Sequence, residues 1–220
     1  MGMNDNDQRR DFDKDAANWD DNAGRVKMAN NIANAIMDAV RLRPDMGVLD
    51  FGCGTGLLTL RLQPLVKSIH GVDSSSGMLE VLESKIQAQH LTNITTQYLD
   101  VETGGKLTGT YDLVVSSMTL HHVREIKPLL AQFYSVLKAD GRLCIADLDL
   151  DEGHFHGNNQ GVFHFGFDRK LLERDMEAAG FSDVRFRIAA EVVRFYPGGV
   201  RPFSIFLATA RKILSAGHCH

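Results

Sequence analysis

The chain has 220 residues, 44% hydrophobic and 24% charged, with a formal net charge of -4. That is enough length for one well-buried core but short for two independent domains, and the balance is that of an ordinary globular protein. A net negative charge offers no basic field for gripping a phosphate backbone, so nucleic acid is not expected as a partner, and the basic residues Arg185, Arg187, Arg194, Arg201, Arg211 and Lys212 read as solvated faces of edge strands.

Residues 1–22 are rich in Asp, Asn and Arg, with Phe12 and Trp19 as their only aromatics, and read as an N-terminal arm that gains order by docking. Val26, Ala29, Ile32, Ala33, Ile36, Met37 and Val40 recur at helical spacing, which predicts a helix over 23–42 closed by Pro44. Strand and helix patterns then alternate: 47–51, 57–65, 68–72, 77–89, 94–99 and 113–116. A helix over 126–137 ends at the turn of Asp140 and Gly141, and a strand over 143–148 follows. Residues 169–179 read as a helix stopped by Gly180, and 184–189 with 203–209 as an antiparallel pair. Such alternation predicts an α/β fold: a seven-stranded, mostly parallel sheet with an antiparallel last strand and helices on both faces. The whole of 1–220 is expected to be a single domain.

No uncharged apolar stretch reaches the ~18 residues of a membrane span, and the polar start lacks the order of a signal peptide, so no membrane insertion is expected. Cys53, Cys144 and Cys219 are odd in number and far apart, which supplies no disulfide framework and fits the cytoplasm.

The run Val-Leu-Asp-Phe-Gly-Cys-Gly-Thr-Gly from Val48 to Gly56 is the most informative part of the chain. A buried strand passes into a glycine turn and then a helix, which brings bare backbone and a helix start to one place, a dock for a polar ligand. A dinucleotide fingerprint wants its third glycine one position later, where Leu57 stands. Asp50 would repel a pyrophosphate but suits an ammonium or sulfonium charge. That favours S-adenosylmethionine over NAD. Asp73, about twenty residues beyond the glycine loop, is placed to accept from both ribose hydroxyls.

The glycine run, Gly71 to Ser75, Asp100 in Tyr-Leu-Asp-Val-Glu, and the stretch from Tyr111 to His122 resemble the ordered motifs of the class I S-adenosylmethionine-dependent methyltransferases. Phe12 to Trp19 and Gly141 to Asp147 resemble the small-molecule branch related to quinone-biosynthesis enzymes. The resemblance implies a Rossmann-like fold and the cofactor S-adenosyl-L-methionine, bound by Asp50, Gly52, Cys53, Gly54, Gly56, Asp73, Ser74, Met78, Asp100, Val101 and Ser116. Asp100 would take the adenine amine with the Val101 backbone nearby, Asp50 and the glycine backbone the methionine moiety, and Met78 with Leu79 the adenosine. Cys53 has no base close in sequence and is not expected to act as a nucleophile.

Five of the nine histidines lie between His121 and His164. His154 and His156 flank Phe155, so in an extended loop both rings would face one way; they are the candidate catalytic residues, as a general base whose ordinary pKa lies near neutrality. With His164 they also suit substrate orientation, a metal site or plain structural hydrogen bonding. At least one of His121 and His122 is expected as a buried partner of the backbone. The acidic alternation Asp147, Asp149, Asp151 and the terminal His218-Cys219-His220 invite a metal reading, but each has a simpler one, a capped loop and an incidental tail, and no metal is expected. Residues 149–167 lack a clean period yet hold five Phe and Val side chains, which predicts an ordered acceptor-site loop that closes a pocket. The function expected is methyl transfer to a small, partly apolar metabolite. The alternatives are an NAD-linked Rossmann oxidoreductase and a non-catalytic scaffold. Acceptor atom and oligomeric state are not readable.

Overall fold

A computed structural model describes residues 9–196 and 199–213 of the chain, with the side chain of residue 196 left aside. The terminal His218-Cys219-His220 and the first eight residues lie outside the described residues.

Seven strands form one sheet in the order β3-β2-β1-β4-β5-β7-β6. They are β1 (Gly47–Phe51), β2 (Ser68–Asp73), β3 (Ile94–Tyr98), β4 (Tyr111–Ser117), β5 (Leu137–Leu148), β6 (Ser182–Tyr196) and β7 (Gly199–Arg211). The first five pair in parallel, while β7 runs antiparallel to both β5 and β6. The helices are α1 (Asp13–Ala16), α2 (Ala23–Ala39), α3 (Thr59–Leu62), α4 (Ser76–Ala88), α5 (Ile126–Val136) and α6 (Arg169–Ala178).

Apolar runs in the central strands follow from burial on both faces. Successive side chains alternate between two cores. Leu49, Phe51, Val114, Leu143 and Ile145 pack with Leu130 and Phe133 of α5 and Met176 of α6. Val48, Leu113, Val115, Cys144 and Ala146 pack with Ile32 and Ile36 of α2 and Leu62 of α3.

Several boundaries differ from those expected. The helix after the glycine loop is short, Thr59–Leu62, and tightens into a 3-10 turn over Gln63–Leu65, because Pro64 cannot continue the α pattern. The turn at Asp140 and Gly141 lies within β5 as a bulge: Tyr111 pairs with Leu137 but Leu113 with Arg142, and Asp140 has φ +58°. β6 runs past residue 189 because its outer half stays useful, with Ala190 and Val192 joining the core built on α2.

The chain reverses its direction of strand addition between β1 and β4. Ligands of open α/β sheets bind at such a point, beyond the carboxyl ends of the strands. Across that edge lies the N-terminal arm. Asp13 Oδ1 accepts from Ser75 Oγ at 2.5 Å and from the Gly77 amide at 2.9 Å, clasping the start of α4. Asp20, in the 3-10 turn Trp19–Asp21, accepts from Thr55 Oγ1 at 2.6 Å and pairs with Lys85.

Candidate active site

A cleft open at its mouth lies at the switch point. Its floor is the glycine loop. Asp50 ends deep in β1, 1% exposed, and its carboxylate accepts from Thr59 Oγ1 at 2.5 Å. Burial pushes this carboxyl up to about 7, against the lowering effect of the Thr59 hydrogen bond. Gly52 has φ +72°, and a Cβ there would stand 2.2 Å from Thr119 Oγ1, so the loop tolerates no side chain where it meets the end of β4. Gly56 does a different job: it is not on the cleft wall, and its missing Cβ admits Leu82 of α4.

Asp73, at the end of β2, accepts from the Gly54 amide at 2.8 Å and the Ser75 amide at 2.9 Å. It therefore fastens the glycine loop to the start of α4 while facing the cleft. Burial raises its carboxyl, and the Gly54, Ser75 and Ser74 amides oppose that rise. The N-cap of α4 is Ser75, whose Oγ accepts from Met78 N at 3.1 Å. Asp100 caps the turn Val101–Thr103 through the Glu102 amide at 2.9 Å and receives Arg9 in a two-pronged pair, at 2.5 and 2.9 Å. The Arg9 guanidinium holds the Asp100 carboxyl below the usual range.

Of the residues assigned by resemblance, Asp50, Gly52, Cys53, Gly54, Asp73, Ser74, Met78, Asp100 and Val101 line this one cleft. Ser116 does not. Its side chain is fully buried and donates to the Phe51 carbonyl at 3.0 Å, because β4 alternation turns it inward; Ser117 and Thr119 form the wall instead. Leu79 packs with Cys53 and Leu82 beneath the loop rather than on the cleft. Burial pushes the Cys53 thiol well up, which keeps it protonated and unreactive.

Much of the remaining lining is apolar. Phe12 and Trp19 come from the arm, Met28 and Ala29 from α2, and Met118, His122 and Val123 from the segment after β4. Phe12 sets its ring edge-on to Trp19 and to His122, with centroids at 5.9 and 5.0 Å. Arg25 lays its guanidinium over the Trp19 ring, 3.8 Å from the centroid. Arg9, Trp19, Arg25 and Met28 were not legible as site residues; a polar arm and the first turns of an amphipathic helix carry no signal of what they face.

No residue of 149–167 lines this cleft; the arm covers it. The loop supports the arm from beneath, since a Cβ on Gly161 would stand 2.3 Å from the Arg10 amide. It is also not extended. Asp151 accepts from the Gly153 and Phe155 amides at 2.9 and 2.7 Å, which curls the chain and separates His154 from His156. His154 is exposed, beside the Asp151 carbonyl and Arg201. His156 turns inward against His121 and His122, and burial pushes it down to about 3. His164 lies against the carbonyls of Val123 and Arg124. His122 Nδ1 is 2.6 Å from the Gly161 carbonyl, the backbone partnership expected of one of the pair. The acidic alternation also disperses: Asp147 meets His121, Asp149 pairs with Arg169, and Asp151 holds loop amides.

The sheet order, the glycine loop and the three carboxylates at consecutive strand ends define a class I methyltransferase fold. Residues 48–141 match the family described as a methyltransferase domain. It is 33% identical over 135 residues to an uncharacterized methyltransferase of Schizosaccharomyces pombe, covering 55% of this chain and 48% of that one. It is 28% identical over 172 residues to the malonyl-[acyl-carrier protein] O-methyltransferase of Acetivibrio thermocellus, covering 76% and 56%. The chain thus spans about half the length of the curated relatives it matches. In fold it is similar to the YcgJ protein of Bacillus subtilis, with a TM-score of 0.70 at 17% identity over 84% of this chain and all of that one. Among the described residues no helix is long and apolar enough to cross a membrane.

Proposed function

We propose that the protein transfers the methyl group of S-adenosylmethionine to a small, partly apolar metabolite. The observation that carries this reading is the make-up of one cleft, whose lining joins bare glycine backbone with Asp50, Asp73 and Asp100 to the apolar side chains of Phe12, Trp19, Met28, Met118 and Val123. In this reading Asp50 faces the charged methionine end, Asp73 the ribose, and Asp100 with Val101 the adenine. The Acetivibrio relative, by its name, methylates an oxygen of a carried malonyl group, which supports a small acceptor.

A sulfonium is already an activated leaving group, so alignment in a dry cleft supplies much of the rate, up to ~7–11 kcal/mol in favourable systems. Neither His154 nor His156 borders the cleft, and no loop imidazole is assigned as a base. The free, buried thiols of Cys53 and Cys144 favour a reducing, cytoplasmic setting.

Calorimetry with S-adenosylmethionine, S-adenosylhomocysteine and NADH tests the cofactor. Micromolar binding of the two sulfur nucleotides alone is expected. Binding of none of them would remove the enzyme reading, and binding of NADH alone would move it to hydride transfer. An acceptor is then found by following S-adenosylhomocysteine release across a panel of small acids, phenols and amines.

A further inference from the structure

Outside the carboxylate floor, three imidazoles gather among the described residues. One ring nitrogen from each of His121, His122 and His156 lies within 4.8 Å of the other two. The ring centroids are 4.1, 5.0 and 5.8 Å apart, and among the described residues no hydrogen bond joins one ring to another. Three imidazoles packed in this way with no proton shared between them are not a hydrogen-bonded network.

The surroundings orient the rings as ligands. His121 Nδ1 is 2.7 Å from Asp147 Oδ1, which is itself fully buried and held by the Leu148 amide at 2.7 Å. His122 Nδ1 is 2.6 Å from the Gly161 carbonyl. A carbonyl only accepts, so His122 carries its proton on Nδ1, and Asp147 favours the same tautomer in His121. Each ring then keeps its lone pair on Nε2. A carboxylate or carbonyl behind a histidine is the usual support of a metal-bound imidazole. His156 supplies the third donor: its Nε2 is buried and has no hydrogen-bond partner among the described residues. An orphaned buried nitrogen is costly unless something meets it.

We infer that His121, His122 and His156 form a site for a divalent transition metal of the zinc class, with Asp147 as the positioning residue behind His121. Three imidazole nitrogens match the preference of Zn²⁺ and Co²⁺ rather than Mg²⁺ or Ca²⁺, which want oxygen. Zn–N bonds of about 2.0–2.1 Å require the nitrogens to approach to roughly 3.4 Å, so ion binding draws the three rings together from their present separations, all within 4.8 Å. Two cations face the site: Arg10, paired with Asp15 at 2.6 Å, and Arg194, stacked 4.6 Å from the Phe155 ring centroid. The buried Asp147 carboxylate opposes them.

The site stands independently of the methyl-transfer reading, and its test reads metal binding alone. The purified full chain, stripped with a chelator, is titrated with Co²⁺ near neutral pH while the visible absorption is followed. One equivalent is expected to bring up the ligand-field bands of a nitrogen-coordinated ion, bleached by Zn²⁺, and Zn²⁺ is expected to raise the melting temperature. His156→Ala, on the loop, is expected to abolish the bands with the melting curve of the metal-free protein still cooperative. Asp147→Asn is expected to weaken binding about 10–100-fold. His154→Ala, and the double variant His218→Ala with His220→Ala, are expected to leave the bands intact. Bands that persist in His156→Ala, bands lost only in the tail variant, or no bands in the parent protein would each overturn the inference.

Discussion

Arg9 sits on Asp100, its two guanidinium nitrogens 2.5 and 2.9 Å from the two carboxylate oxygens, so the arm occupies the acceptor that the adenine amine would use. The two residues are 91 positions apart. Cofactor entry then exchanges one partner of Asp100 for another. The Arg9 side chain is 45% exposed, so the pair is worth only ~0–1 kcal/mol after solvent screening. Arg9→Ala is expected to tighten S-adenosylhomocysteine a few-fold in calorimetry, while Asp100→Ala weakens it. Weaker binding in Arg9→Ala would show instead that the arm helps to hold the cofactor.

Asp73 anchors the glycine loop and faces the proposed ribose position. Hydrogen bonds to a charged group contribute ~1.5–3 kcal/mol each. Asp73→Ala is therefore expected to weaken S-adenosylhomocysteine roughly ten- to hundredfold, with Asp73→Asn between it and the parent. Unchanged affinity in Asp73→Ala would contradict this placement of the nucleotide.

Asp50 makes both stability and binding depend on pH. Its folded pKa, about 7, is raised above the ordinary carboxylate value of 3.8 by burial. The folded protein then holds an extra proton between those two values. The stabilisation from that proton is complete below about pH 4 and is lost as pH rises through about 7, on the order of 4 kcal/mol in all. Urea unfolding followed between about pH 5 and pH 8 should show this decline in the parent and a flatter curve in Asp50→Asn. Binding has the opposite slope. An ammonium or sulfonium prefers the ionised carboxylate, so S-adenosylmethionine affinity should rise through about pH 7, and Asp50→Asn should remove that rise. A pH-independent affinity in the parent would separate Asp50 from the cofactor's charge.

Gly52→Ala tests the floor of the cleft. The substitution asks an L-residue to adopt φ +72° and drives its methyl into Thr119. Left-handed strain of ~1–2 kcal/mol and overpacking of ~1–3 kcal/mol together predict a loss of about 2–5 kcal/mol, read by chemical denaturation, together with loss of cofactor binding. Gly54→Ala is the comparison: its φ is +53°, but a Cβ there meets nothing within 4 Å, so it should lose only the strain part.

Much of the architecture was legible because local pattern dictates it. Val48 and Leu49 must be buried on opposite faces, so β1 reads as a continuous apolar run, and the glycine loop after it can be recognised from backbone geometry alone. The strand ends at Asp50, Asp73 and Asp100 followed, since parallel strands deliver their carboxyl ends to one edge. Ser116 was misplaced by a single residue of strand alternation, which in a period of two exchanges core for cleft.

The sequence by itself determined the alternating sheet, its cofactor edge and the carboxylates along it, because these depend on periodicity and on turn chemistry within a few residues. Tertiary structure alone decided that the arm, not the 149–167 loop, covers the cleft; that Asp147, Asp149 and Asp151 serve three separate partners; and that His156 turns in to meet His121 and His122 while His154 stays outside. Each of these is a contact between distant segments, such as His121 with Asp147 across 26 positions. Such contacts are set by how the strands' exits converge and how Asp151 curls its loop, and no local pattern of residues encodes that convergence.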